Sequence, residues 1–474
     1  MLRVALAIVP EVRQLLREDP SQLSALMEEI HDEDLADLLG LLDENEAAQI
    51  LESLQAKEAA PIFERLDDDT REAMVEQLGV ERMAEIVSEM SADERTDLIE
   101  GLPDKVGEDL LESLEKVDPA AAAEVEELAR WPEDSAGGLM TTGYIAVSPE
   151  MTVSEVIERI REVGAEAETV YYIYVVREGN RLLGVASLRD LLLASPSTAP
   201  SAEAAPARPA KVSEVMTENV LSVTPDEDQE DVARKMAKYD LAAMPVLGPD
   251  RKLLGVITFD DVMDVLTQEQ TEDVQRFAAV EPTEEGYFQT SFWMFIRKRG
   301  PWLLALFVSE FFTGTALRHY DEVIQAVAKL SYYVPLLIST GGNSGSQSAS
   351  LIIRGLAVGD IKVSDWRRVL VREFGQGLVL GLMLAAVGMM RVAMWGDGLG
   401  FMFTIGATLV AIPLLGCTVG SMLPLLLRRI GVDPATSSTP FIATLIDVLG
   451  IMVYFNVAQI FLAEVLKAHM HAAP

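Results

Sequence analysis

Apolar residues recur every twelve positions along residues 31–114. The first residue of each repeat is one of Leu38, Ile50, Ile62, Met74, Ile86, Leu98 and Leu110. The positions one and four residues later are apolar as well, so each repeat predicts one short helix with an apolar stripe. Helices this short are unstable alone, and the spacing therefore predicts a right- or left-handed superhelix of stacked helices. On its outer faces, Asp93 and Asp97 form either a solvated surface or a cation site.

Two stretches in the middle of the chain, 138–195 and 211–267, repeat one pattern. The matching pairs are Met140-Thr141 with Met216-Thr217, Val147-Ser148-Pro149 with Val223-Thr224-Pro225, Gly184-Val185 with Gly255-Val256, and Ser187-x-x-Asp190 with Thr258-x-x-Asp261. In each copy an amphipathic helical segment and β-rich runs lie between these motifs. Residues 195–210, rich in Ser, Pro and Ala, predict a flexible linker.

The four paired motifs resemble a tandem pair of CBS domains, which are usually regulatory and often bind adenine nucleotides. The resemblance implies that Tyr172, Arg189, Asp190 and Asp260 line a cleft for ATP, as a regulatory ligand. A purely structural reading stays open, because Asp190 and Asp261 fall near helix starts, where carboxylates suit the helix dipole.

Residues 259–280 contain neither Gly nor Pro and predict one continuous acidic helix. Asp261 and Asp264 are three positions apart, and Glu269, Glu272 and Asp273 share another face. Like charges at this density oppose packing against a second acidic surface. Hard cations with oxygen ligands reverse that effect.

Five apolar segments in the last 180 residues predict membrane spans. They are Trp302–Leu317, Val323–Ile353, Gly375–Trp395, Phe401–Leu427 and Ser438–Leu466. The basic residues between them fall on one side: Arg297–Arg299, Arg354, Lys362, Arg367, Arg368, Arg372, Arg428 and Arg429. The positive side is cytoplasmic by the usual rule, which places the acidic half inside and the C-terminus outside.

Polar residues inside these spans indicate an ion path. Gly341-x-x-x-Gly345 is a helix-packing motif on its own, but the nearby Asn343 and Gln347 also suit a wet cavity or a broken helix. Asp447 is the acid in the interior of the fifth span, where a charge costs at least ~2.5–3.5 kcal/mol.

Two further acids accompany these spans. Asp433, at the inner mouth of the fifth span, is placed to attract cations. Glu310 in the first span is a rival intramembrane acid, ranked lower because no polar path surrounds it in the sequence.

Charge divides the chain. Its net charge is −37, of which residues 1–290 carry −41 and residues 291–474 carry +4. Nucleic acid is excluded as a partner, because phosphate binding needs a basic surface. The single cysteine, Cys417, excludes a cysteine-based zinc site within one chain.

With this order of segments, together with Gly341-Gly342-Asn343, Gln347 and Thr444-x-x-Asp447, the chain is identified as a member of the MgtE family of magnesium transporters. The resemblance implies an all-α superhelical N-terminal domain (1–130), an α/β CBS pair (138–195 and 211–267), a connecting helix (259–290) and an α-helical transmembrane domain with five spans (291–474). It also implies a homodimer in the bacterial inner membrane, in contact with lipid, with magnesium as both substrate and regulator.

The same resemblance implies the roles of individual residues. The pore would be lined by Gly341, Gly342, Asn343, Gln347, Ala443 and Thr444. Magnesium would be bound in the pore region by Asp447 and Asp433. Ions that close the pore would be bound by Asp93, Asp97, Gly138, Ala237, Asp240, Asp261, Asp264, Glu269, Glu272 and Asp273. Pro61 and Thr439 depart from the family pattern.

The sequence leaves three alternatives open. A transporter of cobalt or manganese would share the architecture, although a soft-metal site would favour Cys or His in the spans. An enzyme regulated by its CBS pair would need a catalytic motif, and the sequence has no H-E-x-x-H, Gly-x-Ser-x-Gly or P-loop, so we expect no enzymatic activity. A magnesium receptor that does not transport would leave Asp447 unexplained.

Overall fold

The computed structural model of the chain describes residues 2–18, 30–164, 167–194, 209–283, 287–288, 290–464 and 466. The chain divides into two compact units, Met1–Leu266 and Thr267–Pro474. The predicted flexible linker, 195–210, lies outside the described residues except for its last two positions.

Short helices form the N-terminal part of the first unit. They are α1 (Leu2–Glu18), α2 (Asp32–Leu39), α3 (Glu44–Ser53), α4 (Ala56–Phe63), α5 (Asp68–Ser88), α6 (Ala92–Gly101), α7 (Asp104–Val117) and α8 (Pro119–Leu128). The seven repeat positions from Leu38 to Leu110 are all buried in one core. Gly79, at φ +76°, interrupts α5 and divides it into two short helices. The predicted series of short stacked helices is confirmed.

Two small sheets with flanking helices form the rest of this unit. The first copy contains β1 (Ala146–Val147), α9 (Val153–Val163), β2 (Tyr172–Arg177), β3 (Arg181–Ser187) and α10 (Leu188–Ala194), with β1 parallel and β3 antiparallel to β2. The second contains α11 (Gln229–Tyr239) and the antiparallel strands β4 (Ala243–Leu247) and β5 (Leu253–Thr258). It continues into α12 (Phe259–Phe277).

The repeated Met-Thr motifs exchange partners between the two copies. Thr141 bonds Val256 of the second copy through both backbone groups, each at 2.9 Å, and Thr217 likewise bonds Val185 of the first. A side chain on Gly255 would meet the Thr141 carbonyl oxygen at 2.8 Å, and Gly184 has the same constraint. The paired glycines are therefore needed for close backbone approach, and the two copies form one structure.

Long helices form the second unit. They are α13 (Phe292–His319), the short α14 (Asp321–Ala326), α15 (Val334–Ala357), α16 (Trp366–Trp395), α17 (Leu399–Arg429) and α18 (Thr439–Phe461). The helix α15 packs against α17 and α18 through buried glycines, including Gly341 and Gly345. Glycine at these positions permits close contact between helix backbones.

The expected five spans are not confirmed. Four helices of the described residues are long and apolar enough to cross a membrane: α13, α16 with the short segment before it, α17 and α18. The predicted second span, Val323–Ile353, differs most: it is divided into α14, a 3-10 segment and α15. With 24 residues α15 is long enough to cross a membrane, but its run of Ser, Asn and Gln residues lowers its apolarity. The broken helix that the sequence left open is not observed, because α15 is continuous through this run.

Candidate functional site

Carboxylates from three parts of the first unit influence one another electrostatically. Asp93 lies in the first turn of α6, Glu168 precedes β2, and Asp261 lies in the first turn of α12. Desolvation by burial, and then repulsion from Asp93, raises the pKa of Asp261 to about 6. Desolvation by burial, followed by repulsion from Asp93 and Asp261, raises the pKa of Glu168 to about 7. We call Asp93, Asp97, Glu168 and Asp261 the acidic junction.

The N-terminal domain contributes the most constrained part of this junction. Desolvation by burial raises the pKa of Asp93 to about 6, and its Oδ1 atom is buried with no hydrogen-bond partner among the described residues. Desolvation, together with repulsion from Glu94 and Asp93, raises the pKa of Asp97 to about 7. An unsatisfied buried acceptor beside other carboxylates fits a cation with oxygen ligands.

Glu94 is partly neutralised, unlike its neighbours. Its carboxylate accepts a hydrogen bond from Arg71 at 2.9 Å. Ser91 is the residue before α6, but its side chain makes no capping bond. Its backbone N–H donates to Glu64 at 2.8 Å.

The structure brings together only part of the predicted ligand set. Among the described residues, no three Asp, Glu, His or Cys side chains are close enough to hold a metal ion together. Asp240, the exposed α11 cap at φ 52°, and the exposed Asp264 share no resolved contact with the junction. Gly138 lies in a tight turn and Ala237 in α11. Their carbonyl groups as ligands stay predictions.

Sequence reasoning missed Glu168. It lies outside both the acidic helices and the repeated motifs. Its position depends on a backbone bond, from its N–H to the Gly143 carbonyl at 2.8 Å. Such a long-range contact leaves no local signal in the sequence.

The second unit pairs the predicted mouth acid with a cation. Arg276, near the end of α12, donates to Asp433 at 2.9 Å and pairs with Glu272 at 2.7 Å. Asp433 also caps the short helical turn Pro434–Thr436 through the Ala435 N–H, at 2.8 Å. The predicted cation-attracting acid is therefore partly neutralised in this conformation, and the acids Glu269 and Asp273 lie on the same helix.

Asp447 lies in the middle of α18, facing α15. A side chain atom built on Gly342 would lie 4.0 Å from Asp447 Oδ1, so the missing side chain at Gly342 gives α15 close access to this acid. Ala443, one turn earlier, is the nearest contact of the same glycine. Asn343 and Gln347 lie on an exposed face of α15, whereas Gly341, Gly342 and Gly345 are buried. The helix thus presents both predicted characters, glycine packing and a polar face.

Glu310 lies closer to this site than the sequence suggested. Its Oε1 atom accepts a hydrogen bond at 3.4 Å from Thr444, which lies one turn before Asp447 on α18. Its side chain is otherwise exposed on α13. The low rank given to Glu310 rested on the absence of polar neighbours, and the structure supplies one.

The predicted nucleotide residues lie at a strand end and at helix starts of the two copies. Tyr172 pairs with Ser187 across β2 and β3, and the Ser187 hydroxyl donates to Asp190 at 2.6 Å. In the second copy, Thr258 Oγ1 lies 2.5 Å from Asp260 and 2.6 Å from Asp261. Arg189 is exposed at the start of α10. These acids therefore form hydrogen bonds at helix starts, as the structural alternative predicts. Nucleotide binding stays a prediction.

Family models match three consecutive parts of the chain. The MgtE intracellular N domain matches residues 17–134, the CBS domain matches 136–197 and 212–268, and the divalent cation transporter model of MgtE matches 334–457. The magnesium transporter MgtE of Thermus thermophilus is 45% identical over 352 residues, which cover 74% of this chain and 75% of that protein. That of Enterococcus faecalis is 33% identical over 72% of each chain. A crystal structure of the soluble part of a magnesium transporter covers 57% of this chain and 99% of its own, with 28% identity and a TM-score of 0.50.

Proposed function

The chain belongs to the MgtE family of magnesium transporters, and from this premise we propose that it conducts magnesium through a pore of two identical chains, gated by intracellular magnesium. The observation that carries the pore proposal is the position of Asp447, at mid-helix in α18 beside the bare backbone of Gly342. The N-terminal domains lie in the cytoplasm in this proposal, with the C-terminus outside.

Asp447 acts as the acid that selects the ion. A carboxylate from each of two chains attracts a divalent cation, and magnesium releases its water reluctantly. A site shaped for the hydrated ion therefore excludes other ions by size. The exposed polar face of α15, with Asn343 and Gln347, supplies hydrogen bonds to those waters. Gly341, Ala443 and Thr444 complete the proposed lining.

The acidic junction acts as the sensor. Its carboxylates repel one another when no cation is bound, and magnesium bound between them stabilises the compact arrangement. A ligand that binds only one of two states shifts the equilibrium toward that state. High internal magnesium therefore favours the compact, closed form, and low magnesium releases it. Glu269, Glu272 and Asp273 extend the same response along α12.

Magnesium flux into proteoliposomes tests the pore, with internal magnesium kept low and wild type compared with Asp447→Asn. We expect conduction by wild type, and a loss of at least about tenfold in the variant if the carboxylate contributes about 1.4 kcal/mol or more to ion binding. Asp321→Asn, which changes an exposed acid outside the long helices, is the matched control. Equal flux in all three proteins would refute the pore assignment.

The ion itself is tested in the same vesicles. A transporter of cobalt or manganese predicts flux of those ions with little magnesium flux. That result would keep the architecture and refute magnesium as the substrate.

We also propose ATP as a regulatory ligand of the CBS pair. The supporting observation is the cluster of Tyr172, Ser187 and Asp190 at one strand edge, where a carboxylate and a hydroxyl suit a ribose. Binding of ATP to the full-length protein, compared with Asp190→Ala, tests it by calorimetry. Equal affinity in both proteins would leave Asp190 with a structural role only.

A further inference from the structure

A cavity of about 430 Å³ lies between the last turns of α15 and the first turns of α16. Three guanidinium groups line it, those of Arg354, Arg368 and Arg372. Within the part of the chain that the structure describes, none of the three side chains forms an ion pair or hydrogen bond. Arg368 and Arg372 are four residues apart on one helix face, so their charges repel each other.

The acids of the same cavity do not neutralise these three cations. Glu373 is 5% exposed, and its carboxylate accepts a hydrogen bond from Ser348 at 2.6 Å. Asp365 accepts the Lys362 backbone N–H at 3.0 Å as a helix cap. The exposed Asp360 remains. Three unpaired guanidinium groups around one concave surface favour an anion with several oxygen atoms.

Neighbouring side chains indicate that this anion comes from the membrane. Leu351 and Val358 give the cavity an apolar wall. Trp366 begins α16, and the Arg367 guanidinium lies 5.2 Å from its ring. Tryptophan and arginine side chains at the end of an apolar helix are typical of the headgroup layer, and basic pockets between helices at this level suit lipid headgroups.

We propose that this cavity binds the phosphate headgroup of an anionic membrane phospholipid. The phosphate bridges Arg354 on α15 to Arg368 and Arg372 on α16, and the lipid chains leave along the apolar wall. Bound in this way, the lipid joins the polar helix α15 to α16. The site rests on the proposed placement of both helices in the membrane, and it is independent of whether the protein conducts.

The test is native mass spectrometry of the delipidated full-length protein in detergent, titrated with dioleoyl phosphatidylglycerol. Wild type is compared with Arg368→Gln/Arg372→Gln. The matched control, Arg428→Gln/Arg429→Gln, removes two charges from the end of α17, outside this cavity. We expect about tenfold weaker lipid binding in the cavity variant, as for the loss of about 1.4 kcal/mol of binding energy, and unchanged binding in the control.

Two results would overturn the proposal. Equal affinity in the cavity variant and the control would mean that basic residues attract lipid non-specifically, with no dedicated site in the cavity. Full displacement of the lipid by inorganic phosphate would mean a site for free anions. Arg354→Gln provides a milder variant if the double change prevents folding. Because the readout is lipid binding, a failure here is distinct from a loss of magnesium flux.

Discussion

Replacing Asp261 with Asn should stabilise the acidic junction in the absence of magnesium. The Asn side chain keeps an oxygen that can accept the Thr258 hydroxyl, which lies 2.6 Å from the carboxylate, and it removes the charge. The pKa of Asp261 is raised from 3.8 to about 6, which corresponds to about 3 kcal/mol at 1.36 kcal/mol per pH unit. Partial exposure of the side chain reduces this to roughly 1–2 kcal/mol.

The pH dependence has a definite sign. Because the folded state holds the proton more tightly than the unfolded state, it binds more protons between pH 3.8 and about 6. The stability of the wild-type junction therefore falls as pH rises through this window and is lowest above it. The stabilising effect of Asp261→Asn should be largest near pH 8 and small near pH 4. At neutral pH, magnesium should replace the missing protons.

Hydrogen–deuterium exchange of the peptide Ala92–Gly101, which forms α6, measures this effect. The substitution lies outside the peptide, so the intrinsic exchange chemistry is identical in the two proteins at any one pH. With magnesium chelated at pH 8, exchange should be about 5–30-fold slower in Asp261→Asn, as for 1–2 kcal/mol. Added magnesium should slow wild type much more than the variant.

Asp226→Asn is the matched control, because this exposed acid of the second CBS copy has no contact with the junction among the described residues. It should exchange like wild type at every pH. Faster or equal exchange in Asp261→Asn would show that repulsion does not destabilise the junction, and the sensor proposal would fail.

Three further changes test the second unit. Arg276→Gln should release Asp433 from its 2.9 Å bond and raise magnesium flux, because the freed carboxylate attracts cations. Unchanged flux would contradict this role of Asp433. Glu310→Gln should lower flux by about threefold, less than Asp447→Asn, because Glu310 acts on the Asp447 site from a neighbouring helix. Equal losses would give both acids the same role. Gly420→Ala would place a methyl group 2.2 Å from a backbone oxygen of α15, which costs roughly 1–3 kcal/mol of stability. The yield of folded protein, measured by size-exclusion chromatography, should therefore fall. Gly300→Ala, with open space around it, should leave the yield unchanged.

The sequence predicts elements well where periodicity and burial coincide. The twelve-residue repeat placed Leu38 and Leu110 in one core because each short helix has a single apolar stripe, and both are fully buried. The paired motifs likewise predicted two related sheets. The second span is not confirmed, since a polar face such as that of Asn343 and Gln347 lowers the apolarity of a helix that is nonetheless regular.

The candidate sites were harder to predict because they depend on contacts between distant segments. Asp93 and Asp261 were found as acids on helix faces, but only the fold brings Glu168 to them. Glu310 seemed isolated along the chain, and its contact with Thr444 spans 134 positions. Arg276 and Asp433 are likewise far apart in the sequence, by 157 positions.

The exchange of backbone partners between the two CBS copies also sets the timing of folding during synthesis. Thr141 pairs with Val256, which is 115 positions later in the chain. At 5–20 residues per second, the ribosome needs about 6–23 s to make that stretch. During this interval the first copy lacks its partner strand and presents an unpaired edge. A nascent chain halted before Val256 should therefore remain sensitive to protease, while a chain halted after the second copy has emerged should resist it.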